Sequence, residues 1–315
     1  MSSVIAADAV EWGMQLPIQS QSSLFVQPWE DAAGPDELAR VAQAADRAGA
    51  FYVAVCDHIA IPADKVEAMG ATWYDTVATL GWLAAKTERL NLLSHVFVVP
   101  YRHPLVVAKS FSTLDVLSGG RAILGVGIGH VEEEFAQLGA TFKRRGATLD
   151  AALPVLREAL TTGRFEGASV EPRSPRREGP PIWVGGSSEA AIRRAALLGD
   201  GWLPQGTPSM GFRKAVELLR ALRSEAGIAE AVDIGMMSEP LHLGEVGGDW
   251  ELPSGTFGTT SSEEMAVRLT RYLGVGANQL QVRFAARSAA EMVEQIERFG
   301  AEVWPQVSAA VLQSR

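Results

Sequence analysis

Eight times along this chain a short apolar run is followed by a stretch with helical spacing, and this alternation limits the fold more than any other feature. The runs are residues 10–18, 51–55, 90–99, 122–129, 182–184, 202–204, 232–243 and 279–284. A run apolar at nearly every position, such as FYVAV at 51–55, reads as a strand buried on both faces, as in a parallel sheet. The segments between predict helices over 34–49, 72–87, 104–117, 132–138, 148–160, 188–198, 212–225, 263–273 and 289–299, with a break at Gly146. In the first, Leu38, Val41, Ala42, Ala45 and Ala48 share one face, and Gly49 stops the helix. Parallel strands joined by right-handed helical crossovers, eight over this length, make an α/β fold: a (β/α)8 TIM barrel, read as one domain over 1–315 with inserted loops. A doubly wound open sheet is the runner-up. Two glycine-rich segments, 167–179 and 244–258, look inserted and read as lids or as disordered loops.

With 315 residues, 47% of them hydrophobic, the chain can bury a large core. The net charge of −9 argues against a nucleic acid or an anionic membrane as partner. The basic run at 173–177 is short and reads as a solvated loop. A single cysteine, Cys56, rules out an intrachain disulfide and a cysteine-based metal site. No segment has the form of a leader, and no apolar run approaches the roughly 18 residues of a membrane span. The expected location is cytoplasmic.

In such a barrel the chemistry sits where strands end and the following loops begin. Asp57 and His58 end the second strand, and a carboxylate beside an imidazole can set its tautomer or raise its pKa. Ser94 and His95 interrupt the apolar third strand, either as an interior polar pair or as a bulge that brings a cofactor against main chain. His103 before Pro104 reads as a helix start. The fourth strand ends in Gly125, Gly127, Gly129 and His130. This pattern lacks the third glycine of a dinucleotide fingerprint, and Glu132, Glu133 and Glu134 behind it favour the helix dipole but would repel a pyrophosphate. The glycines therefore give room for a flat ring or for close backbone packing.

Gly185, Gly186, Ser187 and Ser188 form the better anion site, because they follow a strand, open a helix and offer backbone N–H groups and two hydroxyls. Gln205, Gly206 and Thr207 end the next strand and can add donors to the same phosphate. Arg283, at the tip of the eighth strand, can meet a cofactor tail or an anionic substrate, or form a structural ion pair. His58, His95 and His130 occupy successive tips, but no HxH or HExxH is present, and no metal is expected. A serine hydrolase is disfavoured because there is no GxSxG elbow.

Two long stretches carry a resemblance. HPLVVAKSFSTLDVLSGGRAILGVGIGHVEEEFAQLG at 103–139 resembles the central signature of the bacterial luciferase-like monooxygenase superfamily, and PPIWVGGSSEAAIRRAALLGDGWLP at 180–204 resembles its second. The DH pair at 57–58 and QLQVRF at 279–284 also fit. The DH pair and the GxG tip are more similar to the branch that uses the deazaflavin coenzyme F420. The resemblance implies a barrel that binds F420, or alternatively FMN, at its C-terminal face, and a homodimer. It implies His58 near the reactive face of the ring with Asp57 beside it, and a bulge with a cis peptide at Ser94, His95 and Val96 behind the ring. Gly127, Gly129 and His130 would lie beside it, His130 acting as an acid or only lining the pocket. The phosphate maps to Gly185, Gly186 and Ser187. Two departures stand out: no Trp follows His58 closely, which counts against a sugar substrate, and the segment between 167 and 171 is short, so that lid is altered.

The expected function is hydride transfer between F420 and a small organic substrate, with His58 as acid, base or orienting group. An FMN-dependent monooxygenase fed by a separate flavin reductase is the alternative. A flavin-binding protein without catalysis is the second.

Overall fold

Strand closure follows from the register of the first and last barrel strands. In a computed structural model describing residues 3–22 and 25–313, β1 (Glu11–Gln15) pairs in parallel with β2 (Tyr52–Val55) on one side and with β8 (Gln279–Phe284) on the other. Between them run β3 (Asn91–Ser94), β4 (Ala122–Gly127), β5 (Ile182–Gly185), β6 (Gly201–Leu203) and β7 (Asp233–Leu243), each parallel to its neighbours. The result is a closed (β/α)8 barrel with its helices outside. The helices of six residues or more are α1 (Pro35–Arg47), α2 (Thr76–Ala84), α3 (Pro104–Leu117), α4 (Glu132–Gln137), α5 (Arg145–Thr162), α6 (Glu189–Leu198), α7 (Phe212–Glu225), α8 (Ser262–Leu273), α9 (Ala289–Arg298) and α10 (Trp304–Gln313). Of the loop at 19–33, Ser23 and Leu24 lie outside the described residues.

Strand alternation sorts the core into two shells. Outward residues such as Trp12, Val53, Leu124 and Val184 pack under the helices. Inward ones, Tyr52, Ala54, Leu93, Ile123, Trp183 and Leu203, fill the barrel together with Ile5. The N-terminal segment caps the lower end: the Ser3 hydroxyl and the N–H groups of Val4 and Ile5 all donate to Asp233 at the start of β7.

The expected elements shift in physically readable ways. The helix placed over 72–87 begins only at Thr76, because the Asp75 carboxylate caps it by accepting from the Ala78 N–H at 2.8 Å. The break placed at Gly146 falls earlier, and Gly146 lies inside the first turn of α5. The third strand is not continuous: after Ser94 it resumes as Phe97–Val98 against the end of β4. The final helix, α10, was not expected; it buries Trp304, Val307 and Val311.

The segment 167–179 is not a lid over the strand tips. It starts with a short hairpin (Arg164–Phe165 with Ala168–Ser169) and then turns under the barrel. The Ser174 hydroxyl donates to Asp115 at 2.5 Å, and Arg176 reaches Asn91 and the Ala122 carbonyl, the first residues of β3 and β4. Two buried or half-buried polar side chains thus fasten it to the N-terminal end.

One glycine shows how tightly β3 and β4 are set together. A Cβ on Gly125 would stand 1.8 Å from the Ser94 carbonyl oxygen, whereas one on Gly81, inside α2, would meet nothing within 4 Å. Gly125→Ala is expected to destabilise by about 1–3 kcal/mol or more through overpacking. Gly81→Ala is expected to stabilise by about 0.5–1 kcal/mol through helix propensity. Urea unfolding midpoints test both, and a Gly125→Ala protein as stable as the wild type would refute the close approach.

Candidate active site

The break in the third strand is held by a side chain standing in for the ladder. The Ser94 hydroxyl accepts from the Gly125 N–H at 3.0 Å and donates to the Gly125 carbonyl at 2.9 Å. Its capacity is thereby taken up inside the barrel wall. The next peptide, His95–Val96, is cis. Val96 turns inward, and its side chain occupies the space that a Cβ on Gly127 or Gly185 would take, at 2.3 Å in each case. Gly129 (φ +73°) likewise faces Val98 and Phe135. The glycines at the tip of β4 therefore serve close packing rather than an open shelf, and Val96 forms the surface above them.

His95 is buried and neutral. Its Nε2 lies 3.1 Å from the Leu203 carbonyl, which can only accept, so Nε2 carries the proton and Nδ1 offers a lone pair with no partner among the described residues. Burial, assisted by the nearby Arg283 charge, pushes its pKa down to about 4, against the pull of that carbonyl.

Asp57 and His58 are adjacent in sequence but have different partners. The Asp57 carboxylate forms a bidentate pair with Arg102 at 2.7 and 2.8 Å and accepts the Val98 N–H at 2.8 Å. Breaking a buried pair of this kind costs about 3–5 kcal/mol. Asp57 thus clamps the tip of β2 to the resumed third strand and does not set the His58 tautomer. That part falls to Glu134, 2.9 Å from His58 Nδ1. Glu134 is fully buried. It also accepts from the Tyr101 hydroxyl at 2.8 Å and from the N–H groups of Ile59 and Ala60 at 2.5 and 3.1 Å. Burial alone would raise this carboxyl, but the hydrogen bonds from His58, Ile59, Ala60 and Tyr101 outweigh it and bring the pKa down to about 2.

Around His58 the rim is aromatic and basic. Trp73 packs edge-on against its ring at 4.4 Å, so a tryptophan does stand beside His58, supplied from further along the loop. His130 lies at 5.5 Å, perpendicular to it, exposed, its pKa lowered by partial burial and by the neighbouring His58. Arg145 anchors its guanidinium on the Gly129 carbonyl at 3.2 Å.

Arg283 sits across β1 from this group. It donates to Gln15 and stacks on Phe25 at 3.7 Å, and its Nη1 is buried with no hydrogen-bond partner among the described residues. A cavity of about 440 Å³ opens here, walled by Gln15, Ser20, Phe25, Glu30, Pro253 and Arg283. The loops at 19–33 and 244–258 both contribute to it. A second cavity, about 600 Å³, lies at the opposite end beside Ser3 and Asn278 and contains none of the expected site residues.

At the tip of β5, Gly186 has φ +94° and Ser188 caps α6, accepting from the Ala191 N–H at 3.2 Å. Among the described residues nothing accepts from the N–H groups of Gly186, Ser187 and Ser188. The Ser187 hydroxyl is turned to the carbonyls of Gln205 and Gly206 at 2.7 and 2.9 Å, so the backbone supplies the free donors here. Among the described residues no three His, Cys, Asp or Glu side chains stand as a metal-binding group, and no helix is long and apolar enough to cross a membrane.

The chain is similar to several known proteins. The chain is 31% identical over 218 residues to an uncharacterised protein of Mycobacterium tuberculosis, covering 63% of this chain and 75% of that one. It is 32% identical over 185 residues to an F420-dependent glucose-6-phosphate dehydrogenase of Amycolatopsis mediterranei, covering 54% of this chain and 53% of that one. The crystal structure of the monooxygenase RslO1 from Streptomyces bottropensis superposes with a TM-score of 0.73 at 19% identity, covering 95% of this chain and all of that one. A family model described as luciferase-like monooxygenase matches residues 14–245. The chain belongs to the luciferase-like monooxygenase family of oxidoreductases.

Proposed function

We propose that this oxidoreductase uses coenzyme F420 to oxidise or reduce a small organic substrate at the C-terminal mouth of the barrel. The observation that carries the reading is the pairing of a carboxylate-held imidazole, His58, at one strand tip with a row of free backbone N–H groups, Gly186 to Ser188, at another. The residues present fit such a cofactor on two counts. Among the described residues the buried His95 Nδ1 and Arg283 Nη1 have no hydrogen-bond partner, and a polar cofactor could supply one. The three free N–H groups at the start of α6 suit a phosphate, and a Cβ on nearby Gly206 would meet nothing within 4 Å. Gly186, Ser187 and Gly206 would hold the phosphate, and Val96, seated over Gly127 and Gly185, would back the ring. The cofactor, when bound, supplies the hydride chemistry.

The chain's own residues would do the rest. His58 holds or accepts a proton on the substrate side, Trp73 excludes water from one of its faces, and His130 stands next to it at the rim. Asp57 keeps the strand tip in place through Arg102. The likeness to the Amycolatopsis F420-dependent dehydrogenase supports F420 over FMN. A homodimer and a cytoplasmic location belong to the same proposal.

Titration of the purified protein with F420 and with FMN, followed by fluorescence, tests the cofactor. F420 is expected to bind, and Ser187→Asp, which sets a charge beside the free N–H groups, is expected to weaken it at least about tenfold. Binding of FMN alone would overturn the choice and favour a monooxygenase fed by a reductase. His58→Ala is expected to keep F420 affinity and to lower kcat about 100-fold or more on whichever alcohol, carbonyl compound or sugar phosphate the wild type turns over. Unchanged turnover would remove His58 from the chemistry.

The Glu134 carboxyl binds its proton more weakly in the folded chain than its ordinary value of 4.5, at about 2. Its contribution to stability is therefore complete above about pH 4.5 and is lost as pH falls toward 2. The stability gap between wild type and Glu134→Gln, read from thermal midpoints, is expected to narrow over that interval. A gap independent of pH would contradict the carboxylate's charged state.

A further inference from the structure

The loop that follows His58 is tied at two points to one short helix. Near its start, the Ile59 and Ala60 N–H groups donate to Glu134 Oε1. Further on, Lys65 meets Glu133 at 3.1 Å, on the exposed side of the same helix, α4. Glu134 Oε2 takes the remaining two donors, Tyr101 and His58 Nδ1. Each partner of this carboxylate is a donor, so the group is an anion with every contact satisfied. A carboxylate can only accept, so the His58 proton facing it resides on Nδ1; in the neutral imidazole the lone pair is then on Nε2, for which no hydrogen-bond partner stands among the described residues.

From this we infer that Glu134 is a positioning residue for the reaction. It fixes His58 in the Nδ1–H tautomer, so that the substrate side of the ring is a proton acceptor. It also makes that tautomer conditional on docking of loop 59–71, because the same carboxylate holds both. An isosteric amide cannot reproduce the arrangement. Glutamine has one acceptor oxygen and one NH2, so either the two loop N–H groups or the His58 and Tyr101 pair would face a donor. The Lys65–Glu133 pair is exposed and screened by salt, so it latches the loop without determining the ring. The inference rests on the reading of His58 as the group that meets substrate, but its test needs neither cofactor nor turnover.

Two-bond 1H–15N correlation spectra of the protein without cofactor report which ring nitrogen of His58 is protonated. The wild type is expected to show the Nδ1–H pattern, and an Nε2–H pattern would overturn the inference directly. In Glu134→Gln the pattern is expected to shift toward Nε2–H, and amide exchange at Ile59 and Ala60 to rise at least about tenfold. Lys65→Met is expected to speed exchange near residue 65 while leaving the His58 pattern unchanged. An unaltered tautomer and unaltered exchange in Glu134→Gln would show that Glu134 only fills space. If Glu134→Gln does not fold, Glu134→Asp, read by the same spectra, decides. Its shorter carboxylate is expected to give a mixed tautomer and faster exchange at Ile59 and Ala60, and an unmixed Nδ1–H pattern with protected loop amides would sink the idea. Failure of F420 to bind would overturn the proposed cofactor while leaving these spectra as they are.

Discussion

Everything at the mouth of this barrel depends on two hydrogen bonds made by one hydroxyl. Ser94 takes over the ladder between the third and fourth strands by bonding to both polar groups of Gly125. With pairing continued by a side chain, the backbone at His95 and Val96 is free to leave the sheet. Val96 can then fill the space over Gly127 and Gly185, and Phe97 can rejoin β4 beside Val126. A methyl group at Gly125 would remove the room for this exchange. The surface at the centre of the mouth is therefore set by the lack of side chains on a neighbouring strand.

The two buried carboxylates near β2 divide two tasks that the sequence presents as one. Asp57 meets a guanidinium and a backbone N–H and joins strand to strand. Glu134 meets an imidazole, a phenol and two loop amides and joins a loop to a ring. Both accept only from donors. The difference lies in what they hold: a guanidinium in one case, an imidazole with a mostly buried side chain in the other.

Much of this could be read in advance because strands and their tips carry local signals. The apolar runs, the glycines that end them and the histidines beside them lie close together in the chain, so periodicity and turn chemistry reveal them. The pairing of Glu134 with His58 was hidden, because it joins residues 76 apart and because three successive glutamates at a helix start have a sufficient local explanation in the dipole. Trp73 can be read as a pocket tryptophan from the sequence, but its contact with His58 cannot, because it forms only after the loop has folded back on itself. The segment 167–179 misled through its glycines, which signal a loop but not the end of the barrel on which it lies. Only Ser174 and Arg176, through their buried partners, decide that question.

The lower end of the barrel has a further consequence. Ser3 to Ile5 are bonded across Asp233, Arg176 spans the starts of β3 and β4, and Tyr52 and Trp183 fill the interior between. These side chains make the barrel interior a plug rather than a channel. A ligand seated at the C-terminal mouth would rest on that plug, with no path along the barrel axis to the other end.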